Sequence, residues 1–162
     1  MIDPTEARSS FIQPALQRLN LHSLDAERLL MGTAAVESNF TNFVQFGGGP
    51  ARGMFQMEPA TYDDIMNRYL ALPGHATLRD AVIALAAAAP PQFLALETDH
   101  LFAAGLARVK YFIIPEAIPS TLAEQAEYWW TNYNARSVHG LKPADYLARW
   151  NDYCKALYPD FQ

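Results

Sequence analysis

Apolar positions along the chain recur mostly at steps of three and four, the spacing of one face of an α-helix. Over residues 25–38, Ala26, Leu29, Leu30, Thr33, Ala34 and Glu37 share one stripe. Pro59 suits a first helical position, and Tyr62, Ile65, Met66, Tyr69 and Leu70 follow as an apolar face that Pro73-Gly74 ends. A short Ala-rich helix is predicted from Leu78 to about Ala88, stopped by Pro90-Pro91. Another runs from about Glu97 to Ile114, with Leu101, Phe102, Leu106, Val109, Phe112 and Ile113 toward the core. Thr121 followed by Glu124 has the form of a capping box, and opens a helix with Leu122, Ala126, Trp129 and Tyr133 on one stripe. Pro143 starts a last helix with Leu147, Trp150, Asn151 and Cys154 aligned. The first twenty residues hold one or two helices, around Phe11-Ile12 and Leu16–Leu19. The expectation is a mainly α protein, one domain over residues 1–162 with about seven helices.

Residues 39–56 break this pattern. Gly47-Gly48-Gly49-Pro50 cannot continue a helix, and Thr41 to Phe46 forms either a short strand or an ordered loop. A long excursion inside a compact helical domain is usually functional.

Composition narrows the function. Of the 162 residues, 51% are hydrophobic and 18% charged, which is globular. The net charge of −5 and the lack of any Lys/Arg run argue against nucleic acid as a partner. Cys154 is the lone cysteine and reads as a buried thiol. His22, His75, His100 and His139 are too widely spaced for a metal site, and no metal or other cofactor is expected. Neither a nucleophile elbow nor a phosphate-binding loop occurs. The N-terminal residues Met-Ile-Asp-Pro-Thr-Glu have no basic or apolar leader character, so no signal peptide is expected. Residues 81–96 are too short and too interrupted to span a bilayer, so no stable membrane insertion is expected. A substrate outside the cytoplasm would then require delivery by something else.

Glu37 is the candidate for chemistry. It falls at a helix end, on the stripe that faces inward. Desolvation and the negative end of the helix dipole both favour its protonated form. A carboxylic acid that is still protonated near neutral pH can donate to a glycosidic oxygen. The alternative is an acid at a fraying helix end with its head in water.

Four blocks then fall in order: Glu37-Ser38-Asn39-Phe40, Gly53-Met54-Phe55-Gln56-Met57, Pro59-Ala60-Thr61 and Tyr133-Asn134-Ala135. Together they resemble the soluble lytic transglycosylase group of the lysozyme superfamily. That group carries a Glu-Ser pair ending a helix, a Gly-Leu-Met-Gln-like turn, Pro-x-Thr opening the next helix, and a Tyr-Asn pair downstream. Nineteen positions separate Glu37 from Gln56, and 96 separate it from Tyr133. The stretch 29–64 also resembles proteins of tailed phages and prophages. The motifs span about three fifths of the chain.

The resemblance implies a lysozyme-like fold with a short loop or β excursion between residues 39 and 56. It also implies cleavage of peptidoglycan glycan strands. Glu37 would be the general acid and then the base, and Ser38 would help orient the site. Gln56, with the backbone of Met54, Phe55 and Met57, would line a cleft. Tyr133 would point its hydroxyl toward Glu37, and Asn134 would brace the region. For Gln56 and Asn134 the other reading is support of buried backbone, and for Tyr133 it is core packing beside Trp129. One ring of Trp129-Trp130 faces the core, and the other faces outward, where it can stack on sugar.

The carboxylates bear on the mechanism. A two-carboxylate glycosidase needs a partner about 5 to 10 Å from its acid, and no Asp or Glu lies between Glu37 and Gln56. That favours the substrate-assisted route of lytic transglycosylases, with a 1,6-anhydro product. Glu58 is either the N-cap of the Pro59 helix or a second acid. Asp63 and Asp64 read as a solvated pair. Phe55, Glu58 and Arg136 depart from the family pattern. Arg136 would either bind peptide carboxylates of the substrate or narrow the cleft. The second reading is a non-catalytic phage virion or cell-wall-binding protein that keeps the fold.

Overall fold

The computed structural model describes residues 1–136 and 140–162, with Phe46 described by its backbone alone. His139 and its place in the histidine reading lie outside the described residues. Among these, the chain is mainly helical, with seven helices and almost no strand. The N-terminal twenty residues form one continuous helix, α1, over 4–18, and Ala7–Ile12 widen within it to i→i+5 bonding. The others are α2 (Leu24–Ser38), α3 (59–69), α4 (Ala76–Ile83), α5 (His100–Phe112), α6 (Leu122–Asn132) and α7 (Pro143–Tyr153). No helix among the described residues is long and apolar enough to cross a membrane.

Helix α2 lies at the centre. Ser23 caps it by accepting from the Ala26 N–H. One inward stripe is not the whole of its burial: Met31, Gly32, Ala35, Val36 and Ser38 on its other sides are buried too. A helix covered all round is surrounded by its neighbours, here mainly α7 and α1. Gly32 permits the closest approach. A Cβ there would collide with the Tyr146 ring of α7, so only glycine lets α7 lie this near. Helix α2 then ends at Asn39 in the left-handed region, with Phe40 also at positive φ and fully buried.

Two core faces and one helix end differ from those the periodicity predicts. Phe112 and Ile113 are 43% and 39% exposed, and the buried face of α5 instead runs through Phe102, Leu106, Val109 and Tyr111. The Tyr111 hydroxyl shares a 2.8 Å hydrogen bond with Thr33 of α2, which fixes the rotation of α5. In α7, Tyr146, Trp150 and Cys154 are buried while Asn151 is exposed. Helix α4 stops at Ile83 rather than near Ala88, in turns that precede the prolines. The Thr121 cap is present: its Oγ accepts from the Glu124 N–H at 3.4 Å and donates to the Glu124 carboxylate at 2.6 Å.

Residues 39–58 form an ordered loop pinned by isolated bridges, Val44 to Arg52 and Arg52 to Met57. The Arg52 and Met57 backbones exchange two 2.9 Å hydrogen bonds, so the turn 53–56 closes tightly. Gly53 has φ +79°, and a Cβ would stand 2.4 Å from the Leu96 carbonyl oxygen, so the turn requires glycine.

Candidate active site

The last turn of α2, the 53–56 turn, the start of α3, the end of α5 and the end of α6 enclose a cleft of about 590 Å³. This is within the usual range for ligand sites. Glu37, Gln56, Glu58, Lys110, Tyr133 and Asn134 line it. Five lining side chains are amides, those of Asn42, Gln45, Gln56, Asn132 and Asn134. Such a surface offers hydrogen-bond donors and acceptors side by side.

Glu37 is half-buried at the edge of this space. Its Oε1 accepts a 2.9 Å hydrogen bond from the indole N–H of Trp129. Burial pushes its carboxyl group up to about 7, against the Trp129 hydrogen bond and the positive charge of Lys110, which both pull it down. The acid is therefore poised near neutrality, ready to give or take a proton.

The walls are held by specific bonds. The Tyr133 hydroxyl donates to the Phe55 carbonyl at 2.8 Å, tying the end of α6 to the 53–56 turn. Gln56, itself at φ 44°, donates through Nε2 to the carbonyls of Asn42 (2.9 Å) and Gly53 (3.0 Å). The Lys110 ammonium donates to the Tyr133 carbonyl at 3.0 Å and lies 3.4 Å from the Tyr133 ring centroid. Asn134 donates to the Leu141 carbonyl at 2.7 Å.

Several roles expected from the resemblance change here. Ser38 is buried, and its hydroxyl donates back to the Ala34 carbonyl at 3.0 Å within its own helix, the usual outlet for a serine inside a helix. The Tyr133 hydroxyl donates its hydrogen bond to the Phe55 carbonyl rather than to Glu37. The side chains of Met54, Phe55 and Met57 are buried in the core and these residues do not line the cleft, so of this turn Gln56 is the lining residue. Arg136 is exposed, with its guanidinium over the Trp130 ring and 3.4 Å from the Thr131 hydroxyl, and it is not among the lining residues. Glu58 holds the N-cap position of α3, yet its side chain makes no capping hydrogen bond, and it lines the cleft. Asp63 and Asp64 are exposed.

Sequence reasoning missed the cleft amides of Asn42, Gln45 and Asn132, and the two residues that act on Glu37 itself, Trp129 and Lys110. Trp129 is fully buried, and its stripe reads as core; a buried indole N–H needs an acceptor, which is the signal that points beyond packing. Lys110 carries a signal too: it is a cation flanked by the buried Val109 and Tyr111. Comparison of the chain with family models, with curated proteins and with solved structures returns no match.

Proposed function

We propose that this chain cleaves the β-1,4 bond between MurNAc and GlcNAc in peptidoglycan, as a lytic transglycosylase with a lysozyme-like fold and Glu37 as its general acid and base. One observation carries the reading: a single acid poised near pH 7 borders an open, amide-lined cleft, walled by the same Gln56 and Tyr133 blocks that the resemblance picks out.

Glu37 enters protonated. Its proton passes to the glycosidic oxygen as the anomeric carbon–oxygen bond breaks and the bonding pair goes to that oxygen. The muramic acetamido oxygen closes on the anomeric carbon in place of a protein carboxylate. The C6 hydroxyl of the same sugar then attacks, its proton returns to Glu37, and the acetamido group is released. The product is a 1,6-anhydro sugar. No cofactor enters this scheme. The phage-type likeness of 29–64 matches delivery through a holin or within a virion.

Incubation with purified sacculi, followed by mass spectrometry of the soluble products, tests this. Anhydromuropeptides that vanish with Glu37→Gln are expected. No release by the wild type across several sacculus chemotypes overturns it, and binding without cleavage would mark a wall-binding protein instead. A hydrolytic variant has one observation in its favour: Glu58 lines the cleft without capping its helix. Reducing rather than anhydro ends, lost in Glu58→Gln, would establish that muramidase route.

A further inference from the structure

Among the described residues that line the cleft, Lys110 is the cation. It approaches from α5, while Glu37 approaches from α2, so the packing of two helices brings both to one cleft. The ammonium is anchored twice, by the Tyr133 carbonyl at 3.0 Å and by the face of the Tyr133 ring. Tyr133 is in turn fixed to the Phe55 carbonyl, so the positive charge rests on a rigid wall. The titratable groups facing Glu37 are Lys110 and Tyr111 of α5 and Tyr133 after α6, while Glu58 at the start of α3 faces Lys110.

We propose that Lys110 is a positioning residue for Glu37, which holds the cleft wall through Tyr133 and supplies the positive charge that stabilises the Glu37 carboxylate once its proton has left.

The need for such a charge follows from the site. Burial alone makes an acid that holds its proton too tightly to be a good donor. Trp129 gives the carboxylate one hydrogen bond, and a nearby cation adds electrostatic support without offering a proton acceptor. Burial brings Lys110 down to about 8, while the charges of Glu37 and Glu58 pull it back up, so it stays largely protonated at neutral pH. Tyr111 and Tyr133 are both pushed well up by burial and stay neutral. The charge beside Glu37 therefore comes from Lys110.

The role rests on the proposed activity, and its test is chosen to stand apart from it. Carboxyl ¹³C titration of the full chain, with Glu37 assigned from Glu37→Gln, reads the acid directly. In Lys110→Met the Glu37 midpoint moves up by about one pH unit, the low end for loss of a nearby opposite charge. Lys110→Arg restores most of it. Coupling is reciprocal, so the Lys110 Nζ midpoint falls in Glu37→Gln. If Lys110→Met does not fold, this second arm decides alone. An unmoved Glu37 midpoint, or an unmoved Lys110 midpoint in Glu37→Gln, overturns the proposal. Sacculus cleavage is then read separately: its alkaline limb moves up in Lys110→Met. Moved midpoints with no cleavage by the wild type would keep the charge pair and reject the peptidoglycan reading.

Discussion

Helix α2 carries two enclosed acids ten residues apart, and they titrate in opposite directions. Glu27 is 1% exposed, and burial pushes its carboxyl up. Hydrogen bonds from Tyr158 (2.6 Å), His22 (3.0 Å), Gln13 (3.0 Å) and Arg8 (2.7 Å) outweigh that and hold it at about 2. Glu37 has one donor, Trp129, and rises to about 7. Burial is common to both, so burial does not set the outcome. What differs is how many donors meet the charged form. The first acid is a structural anchor, joining α1, α2 and the C-terminal segment at Tyr158. The second is left under-satisfied beside a cleft, the condition for an acid that does chemistry.

The largest expected break in this comparison is Glu37→Gln. On the proposed function, loss of the general acid costs about 10³-fold in cleavage rate, measured as muropeptide release per unit time. The same change raises stability at alkaline pH. With its pKa raised in the folded state, Glu37 contributes stability that is full below about 4.5 and is lost as pH rises through about 7. Urea unfolding at pH 5 and pH 8 should show a decline in the wild type that the variant lacks.

Glu27→Ala comes next. It leaves Arg8 without its ion-pair partner and unpairs the Tyr158 hydroxyl, and the expected loss is about 3–5 kcal/mol in urea unfolding. The pH sign is the reverse of that for Glu37. Stability from Glu27 is present above about 4.5 and is lost as pH falls through about 2, so acid unfolding of the wild type tracks this group. In the folded fraction of the variant, the Glu37 midpoint stays in place.

Tyr133→Phe sharpens the comparison from the cleft side. It leaves the Phe55 carbonyl without its donor and costs about 1–3 kcal/mol, again by urea unfolding. Ser38→Ala is the smallest. Its hydroxyl serves only the Ala34 carbonyl, so the change is about 1 kcal/mol or less and the Glu37 midpoint stays put by ¹³C titration. A large movement of that midpoint would return Ser38 to the orienting role that the resemblance gives it.

Much of the helical frame was legible. Pro59 and Pro143 open helices where expected, and Thr121 caps α6. The glycines at 47–49 mark the loop, and the 53–56 turn lies where the Gly53 and Gln56 pattern set it. These are local signals, dictated by φ, by missing N–H groups and by short side chains. Helix rotation was less legible. Apolar spacing put Phe112 and Ile113 inward, but the hydrogen bond from Tyr111 to Thr33 turns α5 so that they emerge and Lys110 meets the cleft. The direction of a polar side chain was least legible of all. Ser38 and Tyr133 both satisfy backbone carbonyls, and which carbonyl lies within reach depends on elements far apart in the chain.

The sequence by itself determined a mainly helical chain, a glycine-dependent loop after α2, and an acid at the end of an inward stripe. All three follow from interactions within a few residues. Only the tertiary structure decided the surroundings of Glu37. Trp129 arrives from 92 residues away, and Lys110 from another helix again. A carboxyl group's proton affinity is set by the balance of desolvation, donors and charge around it, and those neighbours are assembled only when the helices pack.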